Sequence, residues 1–180
     1  MWQMQGRRPH PGFTLVESLI VLAITALLLT VAYPSFQGTV ARLRTQTAMH
    51  LVSADLAMAR NTAIMRRAEV VVCPRTDTNR CRDDVDWGNG WIVFADADRN
   101  RQPDLPEDLL RVADAPAAAG GALRLAATRK FIRYKRDGRA AGTNLTVRVC
   151  TGDQLRGEVA VNNLGRVRSR RHEAGSACPM

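Results

Sequence analysis

Gly12-Phe13-Thr14-Leu15-Val16-Glu17 opens an apolar run that ends at Tyr33, and the reading of this stretch decides the fold. Between Phe13 and Tyr33 the only charge is Glu17. As a helix the run spans roughly 31 Å, the thickness of a bilayer's hydrocarbon core. One carboxylate near the start of such a helix is costly unless it meets an opposite charge. The preceding segment, Met1 to Gly12, carries Arg7 and Arg8 and no acid. A secretory signal would follow its apolar stretch with a small-residue cleavage site. Here Tyr33-Pro34-Ser35-Phe36 stands in that place. A plain signal anchor accounts for everything except Glu17.

The GFTLVE stretch resembles the processing signal of type IV prepilins and pseudopilins. That resemblance implies that a prepilin peptidase cuts after Gly12 and methylates the new amino terminus of Phe13. Glu17 then pairs with the amino terminus of a neighbouring subunit and sets register in a filament. Pro34 falls where many pilin helices bend, and a proline inside a helix removes one backbone hydrogen bond. The expected organisation is a leader at 1–12 and a transmembrane, filament-core helix at 13–33. An amphipathic continuation at 34–68 and a β-rich globular domain with a basic tail at 69–180 follow.

Without the leader, 168 of 180 residues remain, enough for one domain with a modest core. The formal charge is +9, and +7 once Arg7 and Arg8 are gone. Arginine supplies 24 of the 26 basic residues. Asp77 to Asp114 holds ten acids against five arginines, whereas Arg124 to Arg171 holds 13 basic residues against Asp137, Asp153 and Glu158. A basic C-terminal third points to an anionic partner, nucleic acid or anionic lipid. Four cysteines on an exported domain permit disulfides. The local pairing Cys73–Cys81 with Cys150–Cys178 is expected out of three arrangements. No C-x2-C or nearby histidine pattern suggests zinc.

Val40, Leu43, Thr47, Leu51, Ala54, Met58 and Met65 recur at helical spacing and are read as the stripe packed on the domain's own sheet. Arg42, Gln46, Ser53, Arg60 and Arg67 fall opposite. After Arg67 the period changes. Strands are expected at 69–73, 91–94, 130–134, 145–150 and 158–161. Turn-rich pieces lie between them, with Ala115 to Ala122 read as a loop. One long helix followed by antiparallel strands is an α+β plan. It agrees with the type IV pilin-like architecture: a long N-terminal helix, its first half membrane-spanning, packed on a C-terminal antiparallel β-sheet domain.

The later residues resemble the FimT/GspH group of minor pilins and pseudopilins. The resemblance runs through Ala59–Ile64, the strand ending at Cys73, Trp87-Gly88-Asn89-Gly90-Trp91-Ile92-Val93-Phe94, Asp96–Asn100 and Asn163-Leu164-Gly165-Arg166-Val167-Arg168. FimT-like proteins are minor pilins, and some bind DNA in natural transformation through a C-terminal GRxR motif. Here that motif is Gly165-Arg166-Val167-Arg168, extended by Ser169-Arg170-Arg171-His172. If the segment is extended, Arg166, Arg168 and Arg170 form one row about 6.6 Å apart, with Arg171 on the other side. Such a row suits successive phosphates, and Gly165 permits a backbone conformation that other residues avoid. Arg148 and Arg156, and also Lys130, Arg133 and Lys135, would widen the patch if they share its face.

The tail has no aromatics for stacking on single-stranded bases, so backbone contacts to double-stranded DNA with little sequence preference are expected. A solvated tail or protein-contact surface, and anionic lipid binding, are the alternatives. The implied partners are double-stranded DNA, other major and minor pilins, prepilin peptidase and, before assembly, the inner membrane. The implied location is single-pass in the inner membrane with a periplasmic domain, then the cell-surface pilus. A structural minor pilin, or a GspH-like pseudopilin of type II secretion, is the rival function.

Asp96, Asp98, Asn100, Asp104 and Glu107 match a calcium-loop spacing, but Arg101 stands where that loop needs glycine, so a polar hairpin loop is expected. Trp87 and Trp91 are read as core. His10 leaves with the leader, His50 is on the helix and His172 in the arginine segment. No nucleophile elbow, phosphate loop or metal cluster appears, and neither catalysis nor a cofactor is expected.

Overall fold

The computed structural model describes residues 14–114, 123–142, 144–172 and 176–179. Gly12, Phe13 and the expected loop at 115–122 lie outside them. The chain divides into two compact units, Met1–Ala41 and Arg42–Met180.

Helix α1 runs from Leu15 to Arg66 and is 52 residues long. Its first turn is built by Thr14, whose hydroxyl oxygen accepts the Glu17 N–H at 3.2 Å. Thr14-x-x-Glu17 is thus a capping pattern, and an acid in the first turn also suits the positive end of the helix dipole. The described side chains of the apolar run, from Leu15 to Thr30, are exposed. Among the described residues no helix is long and apolar enough to cross a membrane; Phe13 and the Val31 side chain fall outside that description. The helix span continues through Pro34. It stops at Arg66, and Arg67 takes a left-handed conformation with φ 50°, a common way to end a helix.

Within Arg42–Met180, eight strands follow: β1 Val70–Pro74, β2 Trp91–Ala95, β3 Leu109–Ala113, β4 Leu123–Ala127, β5 Ile132–Tyr134, β6 Leu145–Thr151, β7 Gln154–Val161 and β8 Val167–Arg171. They form two four-stranded antiparallel sheets, ordered β3-β2-β1-β5 and β4-β6-β7-β8. Three of these strands, β3, β4 and β8, go beyond the five expected. The segment read as a basic tail is mostly the edge strand β8.

The expected stripe packs only in part: Leu51 and Met58 are half-buried against the core, while the buried face is centred on other positions. Thr45, Ala48, Met49, Val52, Asp55, Leu56, Ala59 and Ala63 are buried. Leu43 and Met65 are 57% and 83% exposed, and Ala54 and Thr47 are exposed too. Along this face the small residues Ala48, Ala59 and Ala63 are interspersed with the bulkier Met49, Val52 and Leu56. The Met49 sulfur sits directly over Gly157 of β7. This face joins Val70, Val72, Trp87, Trp91, Val93, Tyr134, Leu145, Val147, Val149 and Val159 in one core. Trp87 and Trp91 are fully or nearly fully buried with ring centroids 6.2 Å apart, as core residues.

The central strands β1 and β2 of the first sheet are buried on both faces, which is why they read as continuous apolar runs. Its second face holds a smaller cluster of Val71, Cys73, Ile92 and Phe94, covered by Cys81, Leu109 and Phe131. The Cys73–Cys81 disulfide ties that cover down. The guanidinium groups of Arg101 and Arg133 lie 5.1 and 5.9 Å from the Phe131 ring centre.

One buried polar residue locks helix to sheet. The Asp55 carboxylate accepts the Trp91 indole N–H at 2.9 Å and pairs with Arg111 Nε at 3.1 Å. Among the described residues every buried core position, and both disulfides, lie in Arg42–Met180, so this unit carries its own core. Asp55→Ala should orphan the buried indole N–H and cost about 2–4 kcal/mol of stability, whereas exposed Ala54→Ser should cost under about 0.5 kcal/mol. Thermal unfolding of the Arg42–Met180 unit checks both.

Candidate functional site

The second sheet places the arginines. In β7 burial alternates strictly, with Leu155, Gly157, Val159 and Val161 inward and Arg156, Glu158 and Ala160 outward. β6 pairs Arg148 with Glu158 and Thr146 with Ala160. β8 pairs Arg170 with Glu158 and Arg168 with Ala160. Arg148, Arg156, Arg168 and Arg170 therefore share the outer face. Arg124 of β4, opposite Cys150, stands near its far edge. Arg166 precedes β8, but its carbonyl accepts the Asn162 N–H at 3.2 Å, which extends the β7–β8 register by one pair. It thus continues the Arg168–Arg170 row. Arg171 pairs with Gly157 and belongs to the opposite side, as expected.

The turn that starts this row is held by shape. Gly165 is buried with φ 76°, and a Cβ there would collide with the carbonyl oxygen of Gly138. Arg60 of α1 donates from Nε to that same oxygen at 3.1 Å. Asn162 braces the turn from inside: its carbonyl accepts the Gly165 N–H at 2.8 Å and its side-chain oxygen accepts the Arg166 N–H at 2.9 Å. Burial holds the neighbouring Tyr134 phenol well above its usual pKa, against a smaller opposing pull from the Arg60 charge. At the far end of β8 the chain returns to the sheet. Leu155 N–H donates to Ser176 and Cys178 N–H to Asp153, and the Cys150–Cys178 disulfide closes a loop with a sequence separation of 28. A loop of that size stabilises by about 3–4 kcal/mol in the chain-entropy model.

Charge separates the two sheets. Around the first, basic groups are spent on acids: Arg99 on Glu69 at 2.7 Å, Arg133 on Asp96 at 2.6 Å and Glu69 at 3.5 Å, and Lys130 on Asp83 at 2.8 Å. The Lys130 hydrogen bond pulls the Asp83 carboxyl below its ordinary pKa. Lys130 and Arg133, expected as possible extensions of the patch, are therefore removed from it, and Lys135 is not. Among the described residues, Arg124 is the only arginine of the second sheet that reaches an acid, at 3.9 Å to exposed Asp153. Among the described residues Arg148, Arg156, Arg166, Arg168, Arg170 and Arg171 have no acidic partner. Glu158, centred in the face, contacts His172 at 3.6 Å.

The acidic loop after β2 is a polar hairpin loop. Asp96 is committed to Arg133, while Asp98 and Asp104 accept from Asn100. Among the described residues no group of three or more acids, histidines or cysteines is placed to hold a metal. Asp55 and Asn162 are structural residues that sequence reading missed; a lone acid in the small-residue helix stripe was the available signal for Asp55.

A long N-terminal helix laid on antiparallel sheets and headed by a methylation signal defines a type IV pilin-like subunit. Residues 7–33 match the prokaryotic N-terminal methylation motif. Residues 48–165 match the family described as type II transport protein GspH, and the chain belongs to that family. Its fold is that of the Pseudomonas aeruginosa type IV minor pilin FimU. One solved FimU structure, in space group P21, is 20% identical with TM-score 0.59, covering 77% of this chain and 97% of that one. A second, in space group P65, is 19% identical with TM-score 0.55, covering 74% and 99%. No curated protein matches the sequence.

Gly165→Ala meets both backbone strain and the Gly138 carbonyl and should cost about 2–4 kcal/mol, whereas Gly142→Ala, with φ 81° but open space around it, should cost about 1 kcal/mol. Chemical denaturation of the two variants reads the difference.

Proposed function

We propose that this protein is a minor type IV pilin that binds extracellular double-stranded DNA through the outer face of its second sheet. It promotes DNA uptake in natural transformation and also supports pilus assembly. The observation that carries this reading is the row of Arg166, Arg168 and Arg170 at alternate positions, without acidic partners among the described residues. Such a row meets successive phosphates, and each neutralised phosphate releases counterions. Arg148 and Arg156 broaden it. No Phe, Tyr or Trp stands on the outer face of β6, β7 or β8, which favours backbone contacts to a duplex over base stacking, with little sequence preference.

The N-terminus fits the same reading. Prepilin peptidase cuts after Gly12 and methylates Phe13. Residues 13–33 hold the subunit in the inner membrane as a single pass, with the globular domain periplasmic, until it joins other pilins in a surface pilus. Glu17, besides its place in the first turn, meets a neighbour's amino terminus and sets register.

The family description favours a second reading: a structural minor pilin, or a type II secretion pseudopilin, that binds no DNA. A scaffold needs no unpaired arginine row, although charges on an edge strand also discourage edge-to-edge pairing of sheets.

A mobility shift with the Arg42–Met180 unit separates the two. Duplex DNA should be retarded. With about four phosphate contacts, affinity should fall about 100-fold between 50 and 200 mM salt. Arg166→Ala with Arg168→Ala should weaken binding at least about tenfold without changing the thermal midpoint. Wild-type affinity in the double variant would move the site elsewhere, and no retardation at low salt would favour the scaffold.

A further inference from the structure

We propose that the Lys135–Arg139 turn is the second half of the polyanion site, and that Lys135, Arg136 and Arg139 hold the same DNA backbone as the Arg166–Arg170 row. This inference rests on the DNA-binding reading above and adds a set of contacts on a different sheet.

The two turns touch. The absent side chain of Gly165 leaves room for the Gly138 carbonyl, so the turn before β8 and the turn after β5 meet backbone to backbone. Arg60 bonds that carbonyl from the helix and fixes the junction to a third element. The 135–139 turn is rigid in itself. Tyr134 and Ala140 bridge its base, Lys135 N–H donates to Arg139 O at 2.8 Å, and Gly138 N–H donates to Lys135 O at 2.8 Å. The Asp137 carboxylate accepts the Arg139 N–H at 3.0 Å, so the one acid of the turn is partly occupied by its backbone.

The side chains of Lys135, Arg136 and Arg139 are exposed, and none has an acidic partner among the described residues. Two residues earlier, Arg133 is neutralised by Asp96 and Glu69. The unpaired charge of the molecule therefore does not stop at the edge of the second sheet. It crosses the Gly138–Gly165 junction and ends at a shallow cleft of about 600 Å³, where Lys135 and Arg136 stand beside Asp137 and beside Glu69 with its already paired Arg99 and Arg133.

Length gives the reason for a second half. The Arg166–Arg170 row covers about 13 Å. The row holds three guanidinium groups, so it alone meets about three successive phosphates of one strand. A second rigid cluster locked to the first adds contacts without the ordering cost of a free loop.

The test titrates the Arg42–Met180 unit into a short fluorescein-labelled DNA duplex and follows anisotropy at several salt concentrations. Lys135→Ala/Arg136→Ala/Arg139→Ala should weaken binding about tenfold or more at low salt. It should also reduce the slope of log affinity against log salt by about 2 to 3, near 0.9 per lost phosphate contact. Asp137→Asn, which keeps the acceptor oxygen of the turn, should tighten binding two- to threefold, roughly the effect of one screened charge. Lys130→Ala, whose charge is held by Asp83, should leave both quantities unchanged. If the triple variant keeps wild-type affinity and slope while Arg166→Ala/Arg168→Ala loses binding, the second half is overturned and the arginine row stands. If the wild-type unit does not bind the duplex, the DNA reading falls and this inference with it.

Discussion

The Gly138 carbonyl oxygen fills the space that a side chain at residue 165 would need, and the basic surface depends on that contact. It seats the turn between β7 and β8 against the turn after β5, with Arg60 of the helix bonded to the same oxygen. Once the turn is seated, Asn162 opposes Arg166 and Val161 opposes Val167, and the register of β8 follows. A slip by one residue would turn Arg168 and Arg170 toward the core face and Val167 outward. The glycine of the GRxR motif is therefore explained by packing, and the arginines by the face that packing gives them.

The second constraint is how charge is distributed. The ten acids between Asp77 and Asp114 and the basic residues around the first sheet neutralise one another in part, through Arg75–Asp114, Arg82–Asp84, Lys130–Asp83 and Arg133–Asp96. On the second sheet a face with one central acid, Glu158, carries arginines on three adjacent strands. Unpaired like charges repel and lower the stability of the folded state. Here the domain withstands that repulsion with two disulfides, a core shared by helix and both sheets, and the buried Asp55–Trp91–Arg111 lock. A polyanion laid on the face would relieve it.

Much of this was legible in the sequence, for local reasons. The apolar run to Tyr33 reads as helix because of its length and its single charge. Val70–Cys73 and Trp91–Phe94 read as strands because both their faces are buried and every position is apolar. The local cysteine pairing holds: Cys73 and Cys81 lie 8 residues apart, and Cys178 returns to Cys150 across a separation of 28 that contains β7 and β8. What was not legible depends on distant partners. The packing stripe of α1 uses alanines and a buried aspartate, so larger but exposed residues such as Leu43 and Met65 drew the eye. β4 and β8 are not among the expected strands because arginine and alanine mask their alternation, which becomes visible only when β6 and β7 lie beside them. Lys130 seemed available because Asp83, its partner, is 47 residues away.

The central claim is that the outer face of the second sheet, together with the turn joined to it at Gly138, is where this protein holds DNA. Amide chemical-shift mapping of the isotope-labelled Arg42–Met180 unit, titrated with a short duplex, tests it most directly. The account predicts salt-sensitive shifts at residues 166–171, around Arg148 and Arg156, and at 135–139, with the first sheet's loops at 75–86 and 97–108 unmoved. Shifts confined to those acidic loops, or no shifts at low salt, would contradict it.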